Sequence, residues 1–497
     1  MERRARLLES LNAKDFDVHY RLATPRAENR FSFRPGDVAQ GYHAWVKLNE
    51  IASTDSLLGL NDNRMQATHD ISKAEISRRM KAYYDPAIPF EDIAALHVGL
   101  TTNAASFNAR DTRARLQTEV TFKEDNLRPF WFKPFDLRWA YVERIGNLWN
   151  RSRPELLQQA WPGNEFLLSR RHAPKAPDGA ACFFSRHIAD QHVMHTDAYF
   201  IPIRLLSPAA KSTDDRQGRL LGGRQGEPVA AATANLSSRA REYLNALGIS
   251  NPDIDAQTAG LIWMHALSIG YSPAYISENA DGIRQDWPRI PLPDSKEALL
   301  ASAALGHQIV ALLDTETRFD VGPGLAPAWP TQASALQKIA AFTLPKGTTL
   351  DEAKHFAATA GWGHAGQGGV TMPGKGKIVE RDYTAEESVA AGLPRHPKNG
   401  DVKSPLLGDR TCDVYLNDVA YWSNIPLRVW EYTIGGYQVI KKWLSYREEK
   451  LLGRPLAKDE IRYVQEMARR IAAILLLEPA LDTNYQNVKA HTFPWKG

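Results

Sequence analysis

The stretch WEYTIGGYQVIKKWL, from Trp430 to Leu444, combines two short helical segments, a pair of glycines and a row of aromatic and basic side chains. A helix over Pro426–Tyr432 is expected to end before Gly435-Gly436, because adjacent glycines stabilise neither helix nor strand. A second helix begins near Tyr437 and carries Lys441, Lys442, Trp443 and Arg447. An apolar anchor beside a basic helix face suits a surface that contacts a polyanion. The alternative is a pair of core helices with solvated lysines, since most charged helix faces are simply solvated.

Length and composition indicate a globular protein of several domains. The chain has 497 residues, of which 43% are hydrophobic and 24% charged, and these are ordinary values for a soluble protein. The net charge is only +4, so any positive surface has to be local. No apolar run reaches about 18 residues, which predicts no membrane span. The charged N-terminus and the two distant cysteines, Cys182 and Cys412, predict a cytoplasmic location without disulfides.

Several segments carry clear helix signals. A helix is expected over Ser72–Tyr84, where Ser72 and Glu75 have the spacing of a capping box. A helical block is expected over residues 255–313. The last long helix turns Arg469 and Arg470 outward, opposite an apolar face made by Ile461, Val464, Ala468, Ile471 and Leu475.

Strand signals lie between these helices, so the sequence predicts a mixed α+β fold with more than one domain. Apolar runs at residues 181–185 and 199–206 read as buried strands. Residues 207–240 are polar and rich in glycine, which predicts a loop or a flexible insertion. Alternating residues around Asn417-Asp418 predict a hairpin over Thr411–Trp422.

Three ordered segments resemble one family. FKPFDLRWAYVERIGNLWNRSRPELL (Phe132–Leu157) and HALSIGYSPAYISENADGIRQDWPRIPLP (His265–Pro293) precede the Trp430–Leu444 stretch, in the same order as in that family. Together they resemble the C-terminal specificity region of type ISP restriction-modification enzymes and related N6-adenine DNA methyltransferases. The resemblance covers most of residues 40–490. It implies that the chain recognises double-stranded DNA at a target sequence.

The resemblance also suggests how the chain is divided. Residues 1–130 would be an N-terminal connector region, and residues 131–320 a target-recognition domain with mixed strands and helices. Residues 321–410 are rich in Gly and Pro and would be an insertion or linker, and residues 411–497 a hairpin plus a C-terminal helical region.

The motifs of a methyltransferase are not found in this sequence. An amino-methyltransferase of this kind needs an Asn/Asp-Pro-Pro-aromatic loop for the flipped adenine and a glycine-rich turn for the methyl donor. The only Asn-Pro is Asn251-Pro252, which Asp253 follows. We therefore expect no catalysis and no cofactor in this chain alone, and a methyltransferase domain or subunit that binds S-adenosylmethionine as its partner. Helicase or nuclease subunits are further expected partners.

Basic residues in the resembling regions are the candidates for DNA contact. Six arginines lie between residues 138 and 171, and a guanidinium fits both guanine edges and phosphate oxygens. The segment Gly59–Met65 departs from the family's Gly-x-x-Thr-x-Arg-Asp element but keeps Arg64. The candidate DNA-binding residues are Arg64, Arg110, Arg138, Arg151, Arg153, Lys441 and Lys442. The alternative for the arginines is ion pairing with Asp136, Glu143 and Glu155.

Three weaker patterns in the sequence have simpler explanations. Cys182, His187, His192 and His195 are possible zinc ligands, but their spacing is unusual and ordinary strand and loop residues explain them better. Residues 369–375 have phosphate-loop spacing, but Gly376 stands where Ser or Thr is required, so a hairpin or mobile loop is expected. His265 and His307 are expected to be packed core residues.

Two functions from other classes stay open at this stage. One is a protein-interaction subunit that bridges a methyltransferase to a helicase or nuclease, for which an exposed apolar patch would be the sign. The other is a divergent nuclease or metal-dependent hydrolase, although no Asp…Glu-x-Lys arrangement is found.

Overall fold

The structure is a computed structural model of the chain. It describes residues 2–14, 31, 33, 36–104, 107–144, 147–206, 232–317, 319, 336–366, 370–390 and 406–495. Helices and strands alternate through these residues, and the predicted α+β class is confirmed.

The helices are numbered α1–α16 in chain order. Their bounds are α1 Glu2–Leu11, α2 Lys73–Tyr84, α3 Ile93–Leu96, α4 Ala109–Glu119, α5 Pro154–Gln159, α6 Ser238–Ala246, α7 Ala256–Gly270, α8 Pro273–Glu278, α9 Ala280–Gln285, α10 Lys296–Leu313, α11 Glu352–His355, α12 Ala385–Ala390, α13 Leu427–Trp430, α14 Val439–Ser445, α15 Glu449–Leu452 and α16 Lys458–Ala490. Side-chain caps begin several of them, as predicted for α2, where the Ser72 hydroxyl accepts a hydrogen bond from the Glu75 N–H.

The strands are numbered β1–β20. Their bounds are β1 Val46–Lys47, β2 Leu57–Leu58, β3 His69–Asp70, β4 Leu127–Lys133, β5 Asp136–Tyr141, β6 Phe166–Ser169, β7 Cys182–Ser185, β8 Ile188–Ala189, β9 Tyr199–Pro202, β10 Arg204–Leu206, β11 Ala232–Ala234, β12 Arg289–Ile290, β13 Ala341–Thr343, β14 Gly363–Ala365, β15 Thr371–Pro373, β16 Ile378–Asp382, β17 Arg410–Tyr415, β18 Tyr421–Pro426, β19 Thr433–Ile434 and β20 Tyr437–Gln438.

Three four-stranded sheets organise the strands among the described residues. Their strand orders are β3-β5-β4-β8, β2-β9-β6-β7 and β13-β18-β17-β16. The third sheet pairs strands of residues 341–382 with the hairpin of residues 410–426, and the first two sheets each take one strand from before residue 71. Each sheet therefore combines residues from two of the regions proposed from the sequence.

A helical layer lies against the sheets. Helices α7 and α10 pack against each other and against α16, with long apolar faces buried between them. Gly306 of α10 allows this approach, because a Cβ there would collide with the Met264 carbonyl oxygen of α7. Buried side chains from both halves of the chain form one hydrophobic core. No helix in the described ranges is long and apolar enough to span a bilayer.

The Trp430–Leu444 stretch forms a hairpin between two helices. Gly435 and Gly436 have φ of 55° and 78°, and they make the two-residue turn between β19 and β20. Two positive φ angles in a two-residue loop are typical of a tight hairpin turn, where glycine is favoured. The predicted helices on either side are present as α13 and α14.

Three details of the sequence analysis are corrected by the structure. Arg470 is buried and not outward, because its guanidinium donates to backbone carbonyls at the end of α10, including Ala311 and Leu312. His307 is exposed, whereas His265 is buried as expected. The predicted loop over residues 207–240 includes strand β11 and the start of α6, while residues 207–231 lie outside the described residues.

Candidate nucleic-acid interface

Three loops meet at the edge of the first two sheets and bring three of the candidate arginines together: Arg64, Arg151 and Arg153. We call residues 59–66, 147–153 and 190–197 the three-loop cluster. Asn61 and Arg151 exchange backbone hydrogen bonds of 3.1 and 3.2 Å, and the Gln191 N–H donates to the Leu60 carbonyl at 2.6 Å. The Arg153 guanidinium spans the cluster by donating to the Gly59 carbonyl and to Gln191.

The backbone of this cluster is unusually strained. Six of its non-glycine residues have positive φ: Asn63, Met65, Gln66, Asn147, Arg153 and Thr196. Left-handed backbone is uncommon for residues other than glycine and costs about 1–2 kcal/mol at each position. Such strain is found preferentially at binding and catalytic sites. Both the backbone geometry and the positive charge of the cluster therefore make it a candidate functional surface.

Arg64 lies inside this cluster. It is 2% exposed, its guanidinium carbon is 3.3 Å from the centroid of the Phe107 ring, and it donates to the Asn147 carbonyl. Burial lowers the pKa of Arg64 to about 10, although the charge of Asp62 opposes the shift. Arg64 thus ties the first loop to the second and does not face solvent.

Next to the three loops lies a group of basic and aromatic side chains that we call the Lys442 cluster. Its charged members are Lys133, Asp136, Arg138, Lys442 and Arg447, and its rings are Phe132, Tyr437 and Tyr446. Arg138 joins it to the three-loop cluster by donating to Gln66 at 2.6 Å, and Lys133 does so by donating to Asp190 at 3.3 Å.

Asp136 is the centre of the buried ion pairs in the Lys442 cluster. Its carboxylate lies 2.8 Å from an Arg138 nitrogen and 2.7 Å from an Arg447 nitrogen, and all three side chains are buried. Burial alone would raise the pKa of Asp136, but the two guanidinium groups outweigh it and hold the pKa below its ordinary value. The ion pairing proposed as the alternative for Arg138 is therefore present.

A family model for the Type ISP C-terminal specificity domain matches residues 54–473. The chain belongs to this family. The resemblance predicted from the sequence is thereby confirmed. No curated protein matches the chain.

Two solved structures resemble this specificity domain in fold. The first is a nuclease-deletion mutant of the Type ISP restriction-modification enzyme LlaGI in complex with a DNA substrate mimic, with TM-score 0.52 and 15% identity over 93% of this chain. The second is the ATP-dependent Type ISP enzyme LlaBIII bound to DNA, with TM-score 0.51 and 12% identity over 90% of this chain. The specificity domain spans only 36% and 24% of those two chains.

The remaining candidate residues of the specificity domain occupy different surroundings. Arg151 is exposed, and its side chain makes no hydrogen bond or ion pair with any residue in the described part. Lys441 is half-buried on α14. Arg110 is on α4, where it pairs with Glu91 at 2.6 Å, and it contacts none of the three loops through its side chain.

Sequence reasoning missed three side chains of the interface. Lys133 lies inside the quoted Phe132–Leu157 segment, but it was not selected because its neighbours are apolar strand residues. Gln66 lies just outside the Gly59–Met65 segment and was given no role, and Tyr437 was expected only to begin a helix. Their roles depend on contacts with Arg138 and Lys442, which are 72 and 5 positions away in sequence, and on the left-handed backbone of Gln66. Of these signals, only the lysine within a motif was readable from the sequence.

The four suggested zinc ligands are not grouped in the specificity domain. Cys182 is buried in β7, where burial raises the pKa of its thiol to about 12, and His187 pairs with Glu316 at 2.5 Å. The described ranges contain no group of three or more His, Cys, Asp or Glu residues that could hold a metal ion. Strand β15 lies within the suggested phosphate loop and pairs with β14 as a hairpin, whereas residue 369 of that loop lies outside the described residues.

Proposed function

We propose that this specificity domain reads the DNA target of a Type ISP-like restriction-modification or phage-defence system. The observation that carries the proposal is the position of Arg151. Its guanidinium is exposed on the strained three-loop cluster beside the Lys442 cluster, without a partner among the described residues. An exposed guanidinium without a protein partner is suited to a phosphate or a guanine edge.

The candidate residues divide into two roles in this proposal. Arg151 and Lys442 contact DNA, with Arg153 and Lys441 at the margins. Arg64 and Arg138 hold the loops in place, since both are buried and bonded to protein groups. Arg110 contacts DNA only if its ion pair with Glu91 is replaced by one with a phosphate. Base-reading and phosphate-contacting residues would both be needed, because phosphate contacts position a protein and base contacts specify the site.

Methylation is assigned to a partner in this proposal. A methyltransferase domain or subunit, in the cytoplasm, binds S-adenosylmethionine and acts on the site that the specificity domain selects. The relatives that support this inference are Type ISP enzymes bound to DNA or to a DNA mimic, and the matching part is about a third or a quarter of each. Helicase and nuclease functions would belong to other parts of such a system.

The experiment compares DNA binding by the full chain and by two arginine variants. Binding to a labelled 40-base-pair duplex is measured between about 50 and 200 mM salt, where each phosphate contact contributes about 0.9 to the slope of log affinity against log salt. Arg151→Ala is expected to weaken binding and to reduce the slope by about 1. Arg462→Ala is the matched control, because Arg462 is also an exposed arginine but lies on α16 beside Asp459.

Either of two results would count against the proposal. One is absence of salt-dependent binding by the full chain with and without a methyltransferase partner. The other is an equal loss of affinity in the Arg151 and Arg462 variants, which would indicate a diffuse charge effect and not an interface at the three-loop cluster.

A further inference from the structure

One cation of the Lys442 cluster, Lys442 itself, makes no ion pair with a carboxylate among the described residues. Asp190 pairs with Lys133 at 3.3 Å, and Asp136 pairs with both Arg138 and Arg447. Glu460 lies 4.0 Å from Arg447, but its closer pair is with Arg454 at 2.6 Å. The Lys442 ammonium has no carboxylate partner among the described residues.

Aromatic rings surround Lys442 in place of a carboxylate. The Nζ atom lies 5.4 Å from the centroid of Tyr437 and 4.7 Å from that of Tyr446, within the range of cation–π contacts. The residue is half-buried, and its Nζ atom keeps some contact with solvent. An ammonium has three donors and no acceptor, and neither ring accepts a charge-assisted hydrogen bond of full strength.

The charged neighbours of Lys442 come from three elements. Lys133 of β4 and Arg138 of β5 repel its charge, Asp136 of β5 attracts it, and Asp190, which follows β8, acts electrostatically on the neighbouring Tyr437 and Tyr446. Burial, together with Lys133 and Arg138, lowers the pKa of Lys442 to about 8. The protein therefore holds this cation at a free-energy cost, which an incoming anion would relieve.

We propose that Lys442 binds a phosphate group. Lys133 and Arg138 lie behind its ammonium, and Tyr437 and Tyr446 lie on its sides. We call this phosphate-binding site the seat. This inference rests on the proposed function, because it assigns the phosphate to the DNA backbone. A phosphodiester carries a full negative charge and oxygen acceptors, whereas a base is neutral. The phosphate would therefore give the ammonium both a counter-charge and hydrogen-bond acceptors. Lys442 would then position the duplex, and Arg151 would be free to contact another group.

The first test measures protection of Lys442 from acylation in the full chain, by peptide mass spectrometry after brief treatment with limiting acetic anhydride. The protein is treated alone, with a 40-base-pair duplex, or with inorganic phosphate, all at one ionic strength set with chloride. The exposed Lys296 serves as the internal reference. The expected result is at least about fivefold slower labelling of Lys442 with DNA and unchanged labelling of Lys296, because a bound anion favours the protonated ammonium, which does not react.

The two arms distinguish the source of the phosphate and separate this proposal from the proposed function. Protection by DNA supports a backbone phosphate, and protection by inorganic phosphate alone supports the seat but assigns it to a free phosphate ligand. DNA that binds without protecting Lys442 overturns the seat and leaves the DNA-reading proposal in place. If DNA does not bind, the phosphate arm still tests the seat, and absence of protection there overturns it.

The second test uses pH and two variants at Lys442. A bound phosphate raises the pKa of the ammonium, so binding takes up a proton above about pH 8, and wild-type affinity for DNA is expected to fall about tenfold between pH 7 and pH 9.5. Lys442→Arg keeps its charge and is expected to bind without this fall. Lys442→Met is expected to bind weakly at every pH. Identical pH profiles for all three proteins would overturn the proposal.

Discussion

Arg447 and Asp136 form a buried ion pair, with 2.7 Å between the Arg447 Nη2 and the Asp136 Oδ1 atoms, across 311 positions of sequence. Asp136 belongs to the Phe132–Leu157 segment and Arg447 follows the Trp430–Leu444 stretch. The first of the three segments that carried the family resemblance is therefore linked to the chain three residues after the last of them. The same carboxylate also pairs with Arg138. A single aspartate therefore connects β5 to the residues that follow α14.

Replacing this acid is expected to cost much of the stability of the fold. Asp136→Asn leaves two buried guanidinium groups without their anion, and removing one partner of a buried pair typically costs about 3–5 kcal/mol. Denaturant unfolding measures the change. The control is Asp459→Asn, which removes an exposed pair with Arg462 and is expected to change stability by less than about 1 kcal/mol. Equal effects of the two variants would contradict a central role for Asp136.

The same ion pair predicts a pH dependence of stability. The folded-state pKa of Asp136 is held below its unfolded value of about 3.9, so its stabilisation is complete above about pH 5 and declines as pH falls through the folded-state pKa. The stability difference between wild type and Asp136→Asn is therefore expected to shrink as the pH falls from 6 to 3. A difference that stays constant over this range would mean that the carboxylate charge is not its source.

Two glycines in the helical layer offer a matched pair of substitutions. Gly306→Ala places a methyl group against the Met264 carbonyl and is expected to destabilise the protein by about 1–3 kcal/mol. Gly260→Ala on the neighbouring α7 meets no atom within 4 Å and is expected to stabilise by about 0.5–1 kcal/mol, since alanine favours helix. Thermal unfolding compares them. A stabilising Gly306→Ala would show that α7 and α10 are farther apart than described.

The strain in the three-loop cluster is testable at Thr196, a β-branched residue with φ of 72°. Thr196→Gly is expected to stabilise the protein by about 0.5–1 kcal/mol, because glycine adopts this backbone without strain. Thr371→Gly in β15 is the control and is expected to destabilise, since glycine weakens a strand. Destabilisation of both variants to the same extent would argue against stored strain at Thr196.

Local signals in the sequence were sufficient for many elements of the fold. Ser72 and Pro273 stand where α2 and α8 begin, and the turn at Asn417-Asp418 lies between β17 and β18, because caps and turns depend on a few neighbouring residues. The family and the fold class followed from motifs and from the mixture of such signals.

The partners of buried charges could not be read in the same way. Arg138 and Arg470 look like surface arginines in the sequence, yet one is held by Asp136 and the other by carbonyls at the end of α10. Those contacts are set by tertiary packing and not by spacing along the chain. The left-handed residues of the three-loop cluster carry only a partial sequence signal, since asparagine favours this backbone but methionine and threonine do not. The sequence therefore supplied candidates such as Arg151 and Lys442, whereas their grouping with Lys133, Gln66 and Tyr437 became visible only from the structure.

Selection from a random duplex library is the measurement that tests the central claim most directly. The full chain is incubated with the library at two salt concentrations, with and without a methyltransferase partner, and the bound fraction is sequenced. DNA reading by this specificity domain predicts one enriched short motif, with weaker recovery at the higher salt and loss of enrichment in Arg151→Ala. Binding without any enriched motif in either condition would contradict it.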